Sequence, residues 1–136
     1  MTGVITIEIP GYCQPKQRTF GNRFATPPET RAYEKLVRHY ALLAMRGRPV
    51  LQEFIGIEIA ITHVVPPSWS KKKRAAALSG QLFPTHCDLD NQIKALCDGM
   101  NRSVYTDDRL INRLSVRRDY GTADKATVLV RKLITS

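Results

Sequence analysis

The sequence predicts a single α+β domain, a mixed sheet packed by helices in the order β-α-β-α-α-β-β. Its 136 residues are enough for one sizeable core and too few for two domains of ordinary size. Branched residues alternate at the strand period in two segments, and apolar residues recur at the helical period in two others. A hydrophobic fraction of 43% with 24% charged residues is that of a folded protein, and no repeat or low-complexity run interrupts it.

Val4, Ile5, Ile7 and Ile9 around Thr6 and Glu8 make the first strand, closed by Pro10-Gly11. Residues 12–24 follow as a basic loop carrying Lys16, Arg18 and Arg23 beside Gly21-Asn22. The first helix has full boundary signals: Thr26 as cap, Pro27 at the first helical position and Glu29 completing a Thr-x-x-Glu box. Tyr33, Leu36, Val37, Tyr40, Ala41 and Ala44 fall on one face, and Gly47 with Pro49 supplies the stop. Residues 54–65, with Ile55, Ile57, Ile59 and Ile61 in alternation, form a strand ended by Pro66-Pro67. Residues 68–80 read as a short basic helix opened by a serine cap. Helix resumes near Asp90, with Ile93, Leu96, Cys97 and Met100 as its buried stripe. Residues 110–120 and 126–134 read as two strands, with Gly121 in the turn between them.

Twenty-one Lys and Arg against twelve Asp and Glu leave a net charge of +9, which attracts polyanions. The longest apolar stretches fall far short of the roughly 18–20 residues of a membrane span, and the alternating, acid-bearing N-terminus is not a signal peptide. Nucleic acid is therefore the expected partner, not a membrane. Cys13, Cys87 and Cys97 are odd in number and lack Cys-x-x-Cys spacing, so a reduced, cytoplasmic protein is expected. Cys97 is read as core and Cys13 as an incidental loop thiol. His86-Cys87 lacks the spacing of a zinc site, and no partner is visible for His39 or His63.

In so basic a chain the acids are informative. Asp88, Asp90, Asp98, Asp107 and Asp108 place five of the twelve within about twenty residues. An extended entry into the helix sends the Asp88 and Asp90 side chains to the same side, and Lys94 stands one turn beyond Asp90. Asn91 and Asp98 flank that polar face. Phosphodiester hydrolysis needs charge neutralised on the phosphate and a nucleophile made from water. Hard divalent cations held by carboxylates do both, and a nearby lysine orients the water or stabilises the transition state. Asp88, Asp90 and one acid of the Asp107-Asp108 pair would make a minimal Mg²⁺ site. The plainer alternatives are that Asp88 or Asp90 is only a helix cap and that Asp107-Asp108 are turn residues.

Three basic groups surround this centre: Lys71, Lys72, Lys73 and Arg74; Lys16, Arg18 and Arg23; and Arg113, Arg117 and Arg118. They suit phosphate contacts that grip DNA without reading its sequence, or else a solvated surface. Trp69 is either a stacking platform or, more commonly after Pro-Pro, a packing anchor.

The run Asp88-Leu-Asp-Asn-Gln-Ile-Lys94, with Asp98 and then Asp107-Asp108, resembles the RusA family of Holliday-junction resolvases. Pro15-Lys-Gln-Arg18 is similar to the family's N-terminal Pro-x-Lys-x-Arg loop, and Pro67-Ser-Trp-Ser-Lys-Lys-Lys-Arg74 to the basic segment of its phage-type members. The resemblance runs from about Ile5 to Leu133. It implies that Asp88, Asp90 and Asp108 bind metal, that Lys94 is the catalytic lysine, and that Asp107 is an accessory acid. It further implies a bacterial or phage-encoded homodimer that nicks two opposed strands of a four-way junction with Mg²⁺, Mn²⁺ substituting, and needs no small-molecule cofactor. The chain departs from the pattern at His86-Cys87, where members often carry Lys-Pro; a cation and a rigid residue are lost beside the site. A nuclease of broader branched-DNA specificity and a non-catalytic DNA-binding module are the two alternatives.

Overall fold

The strand-period runs form one mixed sheet, and the helical runs cover one of its faces. The computed structural model describes residues 3–17 and 27–133. The elements are β1 (Val4–Pro10), α1 (Pro28–Met45), β2 (Ile55–Val64), α2 (Lys71–Leu78), α3 (Leu89–Met100), a 3₁₀ turn (Asp108–Leu110), β3 (Ile111–Gly121) and β4 (Lys125–Lys132). The α+β class and element order are those predicted. Arg18, Arg23, Thr26 and Ile134 lie outside the described residues.

The sheet order is β1-β4-β2-β3, with β4 antiparallel to both neighbours and β2 parallel to β3. The two C-terminal strands, consecutive in sequence, are therefore not a hairpin. The chain steps over the end of β2 after Gly121, and Asp124 ties down the crossing: its backbone carbonyl accepts from Gly11 N and its carboxylate from Val64 N. β4 lies between β1 and β2 and joins the first strand to the second, leaving β1 and β3 as the two edges.

Ile5, Ile7, Ile9, Ile55, Ile57, Ile59, Ile61, Ala126, Val128 and Val130 all point to the helical side and are buried. The alternate residues Glu8, Glu58 and Arg131 are exposed on the other face, where Arg131 reaches Glu58 at 3.2 Å. Period-two patterning thus sets which face carries the core.

Helix α1 begins one residue later than its sequence signals indicate. Pro28, not Pro27, takes the first turn, and Pro27 stands at the cap position without a side-chain cap bond. The stop combines left-handed Arg46 (φ 53°) with Gly47 (φ 76°). Tyr33, Val37, Ala41 and Met45 are its buried stripe. Helix α3 packs against it at Gly99, where an added Cβ would lie 2.6 Å from Val37 Cβ and 3.0 Å from the Glu34 carbonyl. Close approach at that glycine sets the separation of the two helices.

The basic helix expected over 68–80 is shorter, Lys71–Leu78, and the serine that opens it is Ser70, whose Oγ accepts from Lys73 N. Trp69 is a packing anchor: it meets the Tyr120 ring edge-on at 5.3 Å, and Lys73 Nζ sits 4.0 Å over its own ring. Among the described residues, no helix is long and apolar enough to cross a membrane.

Candidate active site

The site is built on the start of α3. Gln92, Ala95, Leu96, Gly99 and Met100 are its fully buried residues, with Ile93 and Cys97 partly buried, so the core stripe includes a glutamine absent from the sequence reading. The opposite side presents Asp90 and Lys94, both exposed, and then Asp98. Asp88 stands at the cap position in extended conformation, with Asp90 in the first turn. Asp88 makes no side-chain capping bond. Its carboxylate, like that of Asp90 and the ammonium of Lys94, engages no described residue by hydrogen bond or ion pair. Capping therefore does not explain Asp88. Both acids sit at the N-terminal, positive end of the α3 dipole.

Asp107 and Asp108 divide differently. The Asp107 carboxylate accepts from Arg109 N at 2.9 Å and lies 3.4 Å from Arg109 Nε, capping the 3₁₀ turn. The Arg109 N–H is the chief reason its carboxyl is held below the usual range. Asp107 is a turn residue. Asp108 is exposed and comes beside the second half of α3, where with Asp98 it acts on Tyr105 and Cys97 and helps burial raise both. Tyr105 fixes this return of the chain by donating to the Cys97 carbonyl at 2.8 Å.

The donor chemistry at Asp88 and Asp90 fits a hard divalent cation: exposed carboxylates not consumed by caps or ion pairs. Among the described residues, no three His, Cys, Asp or Glu side chains converge as a metal-binding group. Mg²⁺ characteristically keeps several waters and takes one or two carboxylates plus substrate phosphate, so a pair is a sufficient protein contribution.

The basic groups are placed unequally. Lys71, Lys72, Lys73 and Arg74 are all exposed on α2 and form no ion pair with a described acid. Lys16 is committed internally: its ammonium bridges Asp98 and, at 3.5 Å, Glu34, and the Asp98 bond raises its pKa. Its backbone N–H also donates to the Asn91 carbonyl, docking the 12–17 loop on α3. Arg113 and Arg117 are exposed, pairing in register with Gly56 and Ala60 of β2. Arg118 turns the other way.

Arg118 belongs to a network that sequence reasoning missed. Its Nη1 donates to the Cys87 carbonyl at 2.7 Å and to Gln92 Oε1 at 2.9 Å, and its Nη2 to the Pro84 carbonyl at 2.8 Å. Because Arg118 takes the Gln92 oxygen, the amide nitrogen faces the Cys13 carbonyl and His63 Nε2, each at 2.9 Å. An amide nitrogen only donates, so His63 accepts at Nε2 and keeps its proton on Nδ1, 3.9 Å from Asp124. His63, apparently partnerless in sequence, is buried and lies under the Tyr12 and His86 rings. Burial, then the His86 charge, lowers its pKa. Tyr12 and His86 meet at 3.2 Å. Cys13 is no loose loop thiol: it is fully buried in the core, and burial pushes it up to about 11. The period-two rule offered one usable signal, since Arg118 and His63 fall on the inward positions of their strands.

A profile of the endodeoxyribonuclease RusA family matches residues 7–131. The chain is also 31% identical over 108 residues to an uncharacterised protein of Bacillus subtilis (strain 168), YqaN, covering 75% of this chain and 76% of that protein.

Proposed function

This chain belongs to the RusA family of endodeoxyribonucleases, and from that premise we propose that it resolves four-way DNA junctions by paired, Mg²⁺-dependent nicks in opposed strands. The family makes it a nuclease acting on DNA. The observation that carries the finer reading is the pair of exposed, unengaged carboxylates at the start of α3, one turn before an unengaged lysine, in a fold whose α2 carries four cations not paired with described acids.

In this reading Asp88 and Asp90 would be the carboxylates that hold Mg²⁺, with Mn²⁺ substituting; Asp108 from the 3₁₀ turn, which forms no three-carboxylate group with them among the described residues, would be the third ligand that the family resemblance assigns. Held there, Mg²⁺ would supply charge neutralisation at the scissile phosphate and a more acidic water. Lys94 adds positive charge where negative charge develops. Lys71, Lys72, Lys73 and Arg74 grip backbone phosphates, a role Arg18 shares, while Lys16 holds the loop through Asp98. Asn91 anchors that same loop through its carbonyl, and Asp107 shapes the turn that presents Asp108. A homodimer suits the two-fold symmetry of a junction, each active site addressing one strand. Action in the cytoplasm, in recombination and repair, follows from the same reading, and the three cysteines are all free thiols.

The test is cleavage of a mobile four-way junction, a Y-fork and linear duplex under one Mg²⁺ condition. Resolvase specificity predicts symmetrical nicks in the junction and at least tenfold slower cutting of the other two. Equal rates on junction and fork would establish the broader branched-DNA nuclease instead.

A further inference from the structure

We propose that Arg118 is a positioning residue for Asp88, holding through its guanidinium the loop that delivers this carboxylate to the metal. The inference rests on the reading of Asp88 as a metal ligand.

Asp88 has no side-chain bond of its own to a described residue, so its position derives from its backbone. On its C-terminal side that backbone is the first turn of α3. On its N-terminal side, no main-chain to main-chain hydrogen bond holds residues 82–87 among the described residues. Arg118 replaces the missing ladder. One guanidinium accounts for the Pro84 carbonyl at 2.8 Å, the Cys87 carbonyl at 2.7 Å and the Gln92 amide oxygen at 2.9 Å. It thus spans the loop, the residue immediately before Asp88 and the helix that follows. Gln92 passes the constraint on to the 12–17 loop through the Cys13 carbonyl. The root of the clamp is firm, because Arg118 sits on β3 in register with Ile61 of β2, a core residue.

A planar fork donates from two terminal nitrogens at fixed angles, as Arg118 does here, whereas an ammonium donates its three protons from one nitrogen on a flexible stem. Arg118→Lys keeps the charge and most of the stem, so it separates the clamp from the charge. The measurement is the Mg²⁺ concentration giving half of the metal-induced rise in melting temperature, on full-length protein. Junction affinity in EDTA and Mg²⁺-dependent cleavage are measured alongside. We expect R118K to raise the Mg²⁺ midpoint at least tenfold and to leave metal-free junction affinity within twofold of wild type. Excess Mg²⁺ should recover most of the cleavage rate. A wild-type Mg²⁺ midpoint in R118K overturns the proposal.

Asp90→Asn tells the two levels apart. Loss of the Mg²⁺ shift in D90N, with R118K unchanged, leaves the metal reading standing and sinks the clamp. A full Mg²⁺ shift in D90N sinks the metal reading itself. Amide exchange separates a loosened loop from a lost fold. Exchange at residues 85–90 should quicken in R118K while β2 and β4 keep their protection. Equal acceleration in those strands would make Arg118 a merely structural residue and overturn its positioning role.

Discussion

His63 is the residue at which pH should be felt. Its Nε2 faces an amide donor, so protonation would set two donors against each other at 2.9 Å. Burial, the His86 ring and Arg118 all disfavour the charged form, with Asp124 opposing them. The sign follows from the depressed pKa. Above the usual histidine value near 6.5 the effect is absent; as pH falls below it, the unfolded chain takes up a proton that the folded chain does not, and stability drops. The melting temperature should therefore decline between pH 7 and pH 5. His63→Gln keeps an acceptor for the Gln92 amide and removes the titration, so its decline should be visibly shallower. Identical pH slopes in the two proteins would show that His63 is not responsible. Little of this was legible in the sequence: strand period puts His63 and Arg118 on inward positions, but Gln92 lies between helical neighbours that read as surface and core, and its partners come from segments 26 to 79 residues away. The acids were more legible, because Asp90 and Lys94 derive their relation from helix spacing and Asp88 stands extended just ahead of them at the cap.

At the scale of elements, the sequence told most where one segment decides its own form. The strand alternation, the serine-capped start of the basic helix and the Gly47 stop are local and were readable, though not to the residue: the cap is Ser70 within the expected 68–80. The pairing of β4 between β1 and β2 was not, since period-two patterning assigns faces but is silent on neighbours. Nor was the α1–α3 contact at Gly99, where the crowding atoms are Val37 Cβ at 2.6 Å and a backbone carbonyl. Gly99→Ala, normally favourable in a helix, should here destabilise by about 1–3 kcal/mol through overpacking, read as a lower denaturation midpoint. An unchanged or raised midpoint would mean the helices separate without cost. Helix α2 carries the clearest prediction for DNA. If Lys71, Lys72 and Arg74 each neutralise a phosphate, replacing all three by Gln should make the slope of log affinity against log salt shallower by about 2–3. A slope equal to wild type would place the DNA elsewhere.

For the whole molecule, the net charge of +9 is unevenly committed. Lys16 is tied to acids and Arg118 to carbonyls, while the four cations of α2 remain free of described acids, which is why we propose α2 as the side that meets a polyanion. The acids concentrate along the exposed side of α3 and on the turn that returns past its second half. A fold so arranged sets carboxylates against an anionic substrate, which is electrostatically adverse unless a cation intervenes. The most direct measurement of that claim is Mg²⁺-dependent nicking of a labelled four-way junction by wild type and by Asp90→Asn, with junction binding measured on both. Paired nicks by wild type that vanish in EDTA, with cutting reduced at least a thousandfold in D90N and binding retained, are the predicted result. Wild-type cutting by D90N, or binding without nicks by wild type in either Mg²⁺ or Mn²⁺, would contradict it.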